Sequence, residues 1–244
     1  MARRIVTGTE LLRDIARGVT DFRGIELREG NLTNDSKYAD VVNYTQNKFC
    51  DDVDYDGGLI FTGANLTGLR APAMSFRGAN FDGATLANVR VDTALFDYCN
   101  MNGVNINSMK LRNGSLSCSM LEDARVRNLD LFESQVFETG FGKSVILGVK
   151  GIDTSTKFQT SMLKDTIVDA ETYKQIQRVF PKHSPLVARD VPVGTVLEDG
   201  TVVPEGSMIL NTDYYLIAWH KKAGLSPKGR DSHQDGGRFG ERFY

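Results

Sequence analysis

Three histidines, three cysteines and one run of alternating acids are the residues of this chain best suited to chemistry. His183, His220 and His233 stand apart from one another and from any Cys or carboxylate at motif spacing, so they compose neither a metal site nor a catalytic triad. Cys50, Cys99 and Cys118 are odd in number and lack ligand spacing, which suits thiols in a reducing compartment. Asp52, Asp54 and Asp56, followed by Gly57, match the opening of a calcium loop, where alternate carboxylates face one ion and glycine permits the sharp turn. The bidentate glutamate that closes such a loop is missing, because the twelfth place is Gly63. A solvated acidic turn is the simpler reading there, and calcium is the one cofactor the sequence raises. There is no phosphate loop and no nucleophile elbow, and the glycine cluster at 236–241 lacks the strand and helix of a dinucleotide site. The chain reads as non-enzymatic. An enzyme would need its site in the segment 35–58 or near the C-terminus.

The elements that must position these residues are set by a period of five. From Leu59 to Gly148 the chain divides into eighteen five-residue blocks without a slip, beginning LIFTG, ANLTG, LRAPA, MSFRG, ANFDG. The third residue of each block is large and apolar in seventeen of the eighteen, Ala71 being the exception. Neither a helix nor a strand places residues five apart on one side. The chain must therefore turn regularly, and if each block is a short extended piece followed by a bend, four bends return it to its start. Stacked coils then lie at strand spacing, about 4.8 Å apart. The first residue of each block, small in eleven of eighteen, should also face inward. Fifth positions carry Gly63, Gly68, Gly78, Gly83, Gly103 and Gly148 with Asn88, Asn113 and Asn128, residues that tolerate turn geometry.

This pattern resembles the pentapeptide-repeat family, whose motif is Ala, Asp or Asn, Leu and two variable residues; ANLTG and ANFDG nearly reproduce it. The resemblance implies an all-β fold, a right-handed quadrilateral β-helix of about twenty residues per coil, with short capping helices and a small β-rich C-terminal extension. Ladders should then stack every twenty residues, Phe61, Phe81, Met101, Leu121 and Phe141 on one face, and Leu66, Leu86, Ile106, Val126 and Ile146 on the opposite one.

Taken in order, residues 1–19 form a capping helix, begun by Thr7 or Thr9 and ended at Gly18, with Leu11, Leu12 and Ile15 apolar. The β-helix runs over 20–170. Its first coil carries Phe22, Leu27 and Leu32, and an insertion at 35–58 breaks the frame. After Gly148 the frame slips by two and resumes with Phe158, Leu163 and Val168 inward. Residues 171–220 form a helix and short-strand module: Asp169 caps a helix with a Tyr173, Ile176, Phe180 stripe, and Asp199–Gly200 signals a hairpin. Residues 221–244 make a basic, glycine-rich tail whose Arg238, Phe239, Arg242, Phe243 and Tyr244 suit docking on a partner or weak contact with nucleic acid.

A charge of −2 over 244 residues excludes a strongly basic or acidic binding protein. The N-terminus has no apolar core of a signal peptide and no run suffices for a transmembrane segment, so the expected location is the cytoplasm or a viral particle, with no membrane partner. Two readings follow. One is a structural scaffold that uses a rigid β-helix and its appendages for protein–protein interaction or self-association as an oligomer, as in a virion component. The alternative, implied by the family, is a DNA mimic that binds a type II topoisomerase, which calls for a strongly negative surface. Between Leu59 and Gly148 eight basic residues cancel eight acidic ones, which favours the scaffold.

Overall fold

The computed structural model describes residues 3–50, 58–154, 156, 158, 161–179 and 186–212. The first coil follows a short strand and a helix, β1 (Ile5–Thr7) and α1 (Gly8–Ala16). Thr7 begins α1 through a capping box: its hydroxyl accepts the Glu10 N–H while the Glu10 carboxylate accepts the Thr7 N–H at 2.8 Å. These bonds to Thr7 hold the Glu10 carboxyl below its ordinary range. Leu11, Leu12 and Ile15 are buried at the end of the stack. β2 (Glu26–Arg28) lies parallel to β1.

The repeats stack as parallel coils with a period of twenty residues. Four ladders of bridges run along the stack, one per block of the coil. The first is Asp21, Ile60, Asn80, Asn100, Met120, Gly140 and Met162. The second includes β3 (Thr85–Arg90), β4 (Asn105–Lys110), β5 (Arg125–Asp130), β6 (Val145–Leu147) and β7 (Thr166–Val168). The third is Asn31, Arg70, Arg90, Lys110, Asp130 and Lys150, and the fourth is Ser75, Leu95, Ser115 and Gln135. We number the four sides of the coil accordingly. Successive blocks, five residues apart, thus occupy neighbouring sides, so the Leu66 series lies beside the Phe61 series and not opposite it as expected; sides that oppose each other are ten residues apart in sequence. Between Gly140 and Met162 the step is twenty-two residues, the slip expected from the sequence.

First and third residues of every block from Leu59 to Ser144 are buried. Phenylalanines fill the early coils. Phe61 stacks on Phe22 (5.4 Å) and on Phe81 (5.2 Å), and Phe76 stacks on Phe96 (4.7 Å). Small first residues bring the walls close, and their hydroxyls bridge coils. Ser119 Oγ accepts the Cys99 N–H at 2.9 Å and donates to the Phe96 carbonyl at 2.5 Å. Ser134 and Ser144 repeat this arrangement. Fifth residues from Gly63 to Gly148 all take φ between 52° and 78°.

The insertion at 35–58 holds a helix that the repeat frame did not announce, α2 (Tyr38–Cys50). It stands where the first coil would supply its fourth side. Thr45, fully buried, accepts the Ser75 N–H through its hydroxyl, the Tyr38 hydroxyl donates to the Pro72 carbonyl, and Gln46 donates to the Ala73 carbonyl at 2.6 Å. At the other end α3 (Ala170–Val179) closes side three. Asp169 accepts the Gly148 N–H, Thr172 Oγ1 the Val149 N–H, and Gln175 the Ile152 N–H. The C-terminal strands β8 (Val187–Asp190) and β9 (Met208–Asn211) are antiparallel, and β9 pairs with the free edge of β7.

Candidate interaction surface

Second residues of the blocks lie on the flat sides and fourth and fifth residues at the corners, so these positions make the outer surface. Asparagine at the second place has a local purpose. Asn80 Oδ1 accepts the Asp82 N–H at 2.9 Å and Asn100 Oδ1 the Asn102 N–H at 3.1 Å, which fixes the corner that follows. Asp21 and Asp130 do the same for Arg23 and Phe132. Such polar residues are absorbed by the fold rather than held ready for a ligand.

The sixteen charged residues of the repeats distribute unevenly. Arg70, Arg90, Lys110 and Arg112 lie on side three with Asp92, Asp130 and Glu133; Asp82, Glu122 and Asp123 lie on side one with Lys143. Arg112 pairs with Asp130 at 2.6 Å. On side two Arg125 forms an ion pair with Asp199, and Arg127 donates to the Thr201 hydroxyl, so these two cations hold the C-terminal hairpin against the flank of the stack. The Asp199 carboxyl is held down to about 2, by hydrogen bonds from the Thr201 hydroxyl and N–H first and by Arg125 second.

The hairpin turns at Asp199–Gly200, as the sequence signalled, with Leu197 N–H donating to the Thr201 carbonyl at 2.8 Å and Gly200 at φ 80°. Its cross-strand pair Val196 and Val202 is exposed. Phe132 and Phe137 are also exposed, at 47% and 39%, in corner positions.

None of the other residues singled out by their chemistry comes into view together. Asp52, Asp54 and Asp56, the three histidines His183, His220 and His233, and the tail residues Arg238, Phe239, Arg242, Phe243 and Tyr244 lie outside the described residues. Cys99 is buried in the wall, its Sγ 3.1 Å from the Phe76 carbonyl, and burial raises its thiol far above the ordinary range. Cys118 is partly buried at a corner, and burial together with nearby Glu138 pushes its thiol up to about 11. Neither is a poised nucleophile. Among the described residues no group of three His, Cys, Asp or Glu could hold a metal ion, and no helix is long and apolar enough to cross a membrane.

Sequence reading missed what the outer surface depends on: the helix α2 and the anchoring pair Arg125 and Arg127. Tyr38, Val41, Thr45 and Phe49 are spaced at helical intervals, a signal that was present but diluted by polar neighbours.

Residues 60–97 match the family model for pentapeptide repeats, in eight copies. No curated protein matches the chain. Among solved structures the chain is similar to a pentapeptide repeat protein of the Arabidopsis thaliana thylakoid lumen, at 11% identity over 47% of this chain and 72% of that one, with a TM-score of 0.26. It is also similar to HetL, a pentapeptide repeat protein involved in heterocyst differentiation regulation from the cyanobacterium Nostoc sp. strain PCC 7120, at 14% identity over 80% of this chain and 98% of that one, TM-score 0.21. A third is QnrB1, a plasmid-mediated fluoroquinolone resistance protein, at 11% identity over 49% of this chain and 81% of that one, TM-score 0.18.

Proposed function

We propose, from the premise that this is a pentapeptide-repeat protein, that the chain is a non-enzymatic scaffold: a right-handed, four-sided β-helix that presents its flanks and appendages to protein partners. The observation that supports this most is the treatment of the ends. Side chains of α2 and α3 bond the backbone groups that a terminal coil leaves open, and β1 and β9 cover the ends of side two. A stack so closed does not extend end to end, and its flanks are what remains for recognition. A place in a large assembly such as a phage particle is consistent with this role.

The family-implied alternative, a DNA mimic acting on a type II topoisomerase, needs a continuous acidic face. Side three carries three successive cations, and side two carries Arg125 and Arg127, which weighs against that reading. The test has two arms. Light scattering and affinity capture from the native source would compare the full chain with a version ending before Lys221; a partner or oligomer lost on truncation supports the scaffold and assigns docking to the tail with Arg238, Phe239, Arg242, Phe243 and Tyr244. Inhibition of a purified topoisomerase by both versions alike would replace the scaffold reading with the mimic.

A further inference from the structure

Arg70, Arg90 and Lys110 stand in direct register on side three, each bridged to the next through the backbone. Neighbouring coils at strand spacing set the three Cα atoms about 4.8 Å apart, so the row is about 10 Å long. All three side chains are exposed, and among the described residues none has an ion pair or hydrogen bond. Like charges placed directly opposite one another in a sheet destabilise it. The acids of the same side form bonds elsewhere: Asp130, next in the ladder, pairs with Arg112, and the Asp92 carboxylate accepts the Arg112 backbone N–H. Phe132 follows at the corner beyond, 47% exposed beside the Arg112–Asp130 pair.

We infer that this row is a docking ladder for an extended acidic segment of a protein partner, with Phe132 receiving an apolar side chain at one end. The inference rests on the scaffold reading and specifies a flank and a partner chemistry for it. In an extended peptide alternate carboxylates project on one side about 6.8 Å apart. The long stems of two arginines and a lysine take up the mismatch, and a guanidinium grips a carboxylate through two parallel hydrogen bonds. A nucleic acid fits less well. The row is short, so it meets only a few phosphates, whereas nucleic-acid binding is built from many such contacts.

The experiment uses the full chain and a fluorescein-labelled ten-residue peptide of alternating Glu and Ser, with and without a terminal Trp, followed by anisotropy at low salt. The variant Arg70→Gln, Arg90→Gln, Lys110→Gln should bind the peptide about tenfold more weakly or worse, since several charge-assisted contacts are removed, while its Tm stays equal or rises. A control of equal charge, Arg13→Gln, Lys143→Gln, Lys174→Gln, should bind as the parent does. Phe132→Ser should abolish only the gain from the terminal Trp. The inference is overturned if the peptide does not bind, if both triple variants weaken alike, or if a single-stranded oligonucleotide of equal length binds more tightly. Loss of the ladder by this test leaves the truncation experiment to decide the scaffold reading separately.

Discussion

Eighteen successive corners, from Gly63 to Gly148, hold their fifth residue in the left-handed region, yet only six of those residues are glycine. The other twelve accept a cost that a Cβ imposes there. Thr93 is the least suited, being β-branched at φ 60° and exposed, and its hydroxyl only reaches the carbonyl of Asp92 at 2.6 Å. Thr93→Asn is expected to raise stability by about 0.5–1 kcal/mol, because asparagine tolerates this conformation; thermal unfolding of the two proteins would show it as a higher Tm. Inside the wall the balance runs the other way. Ser119 serves one N–H and one carbonyl of the preceding coil at once. Replacing it with alanine leaves the Cys99 N–H buried without a partner and should cost about 1–3 kcal/mol, read as a lower denaturant midpoint. Both residues sit in positions the five-residue frame identifies as corner and wall. The frame marks Thr93 as a corner unsuited to a β-branched residue, but nothing near Ser119 in sequence says that it joins two coils, because its partners Cys99 and Phe96 are twenty and twenty-three residues away.

Elements that interrupt the repeats are the ones that finish it. A stack of parallel coils leaves open backbone groups at both ends, and each end is closed by side chains of known hydrogen-bonding capacity: Thr45 and Gln46 from α2, Thr172 and Gln175 from α3. The expected helices at the two termini of the repeat region were legible from capping residues, Thr7 and Asp169, whose bonds the structure contains. The hairpin was legible from Asp199–Gly200, but its docking was not. Asp199 has a folded value near 2, below the ordinary 3.8, so its contribution to hairpin attachment is complete above about pH 4 and is lost as pH falls through 2. Hydrogen exchange should therefore show protection of the Leu197 and Val203 amides declining over that window, with the Phe81 amide unchanged. In Asp199→Asn the same amides should be less protected at neutral pH and nearly insensitive to acid.

For the whole molecule the consequence of closed ends is control of association. β7 would be a parallel edge strand in the absence of β9, and exposed edges recruit other chains. A chain ending at Val179 should form larger, concentration-dependent species in light scattering than the full chain does. If it stays the size expected from the shorter chain, the C-terminal strands have a purpose other than covering that edge. The two flanks differ accordingly: side two holds the hairpin through Arg125 and Arg127, whereas on side three Arg70, Arg90 and Lys110 have no ion pair among the described residues and only Arg112 is paired, with Asp130.

The period of five by itself determined that the chain turns regularly, which residues face inward, and where the frame slips, since an inward position recurs only if the backbone bends at each block; twenty residues per coil was what the family resemblance implied, and the bridge register shows it. Pairing across coils, by contrast, was decided by the tertiary structure. It placed α2 on the open fourth side, set Ser119 beneath Cys99, tied Arg125 to Asp199 and left Arg70, Arg90 and Lys110 in one row. Each of these depends on residues distant in sequence arriving at strand spacing, and side-chain type alone carries no record of which neighbour lies one coil away.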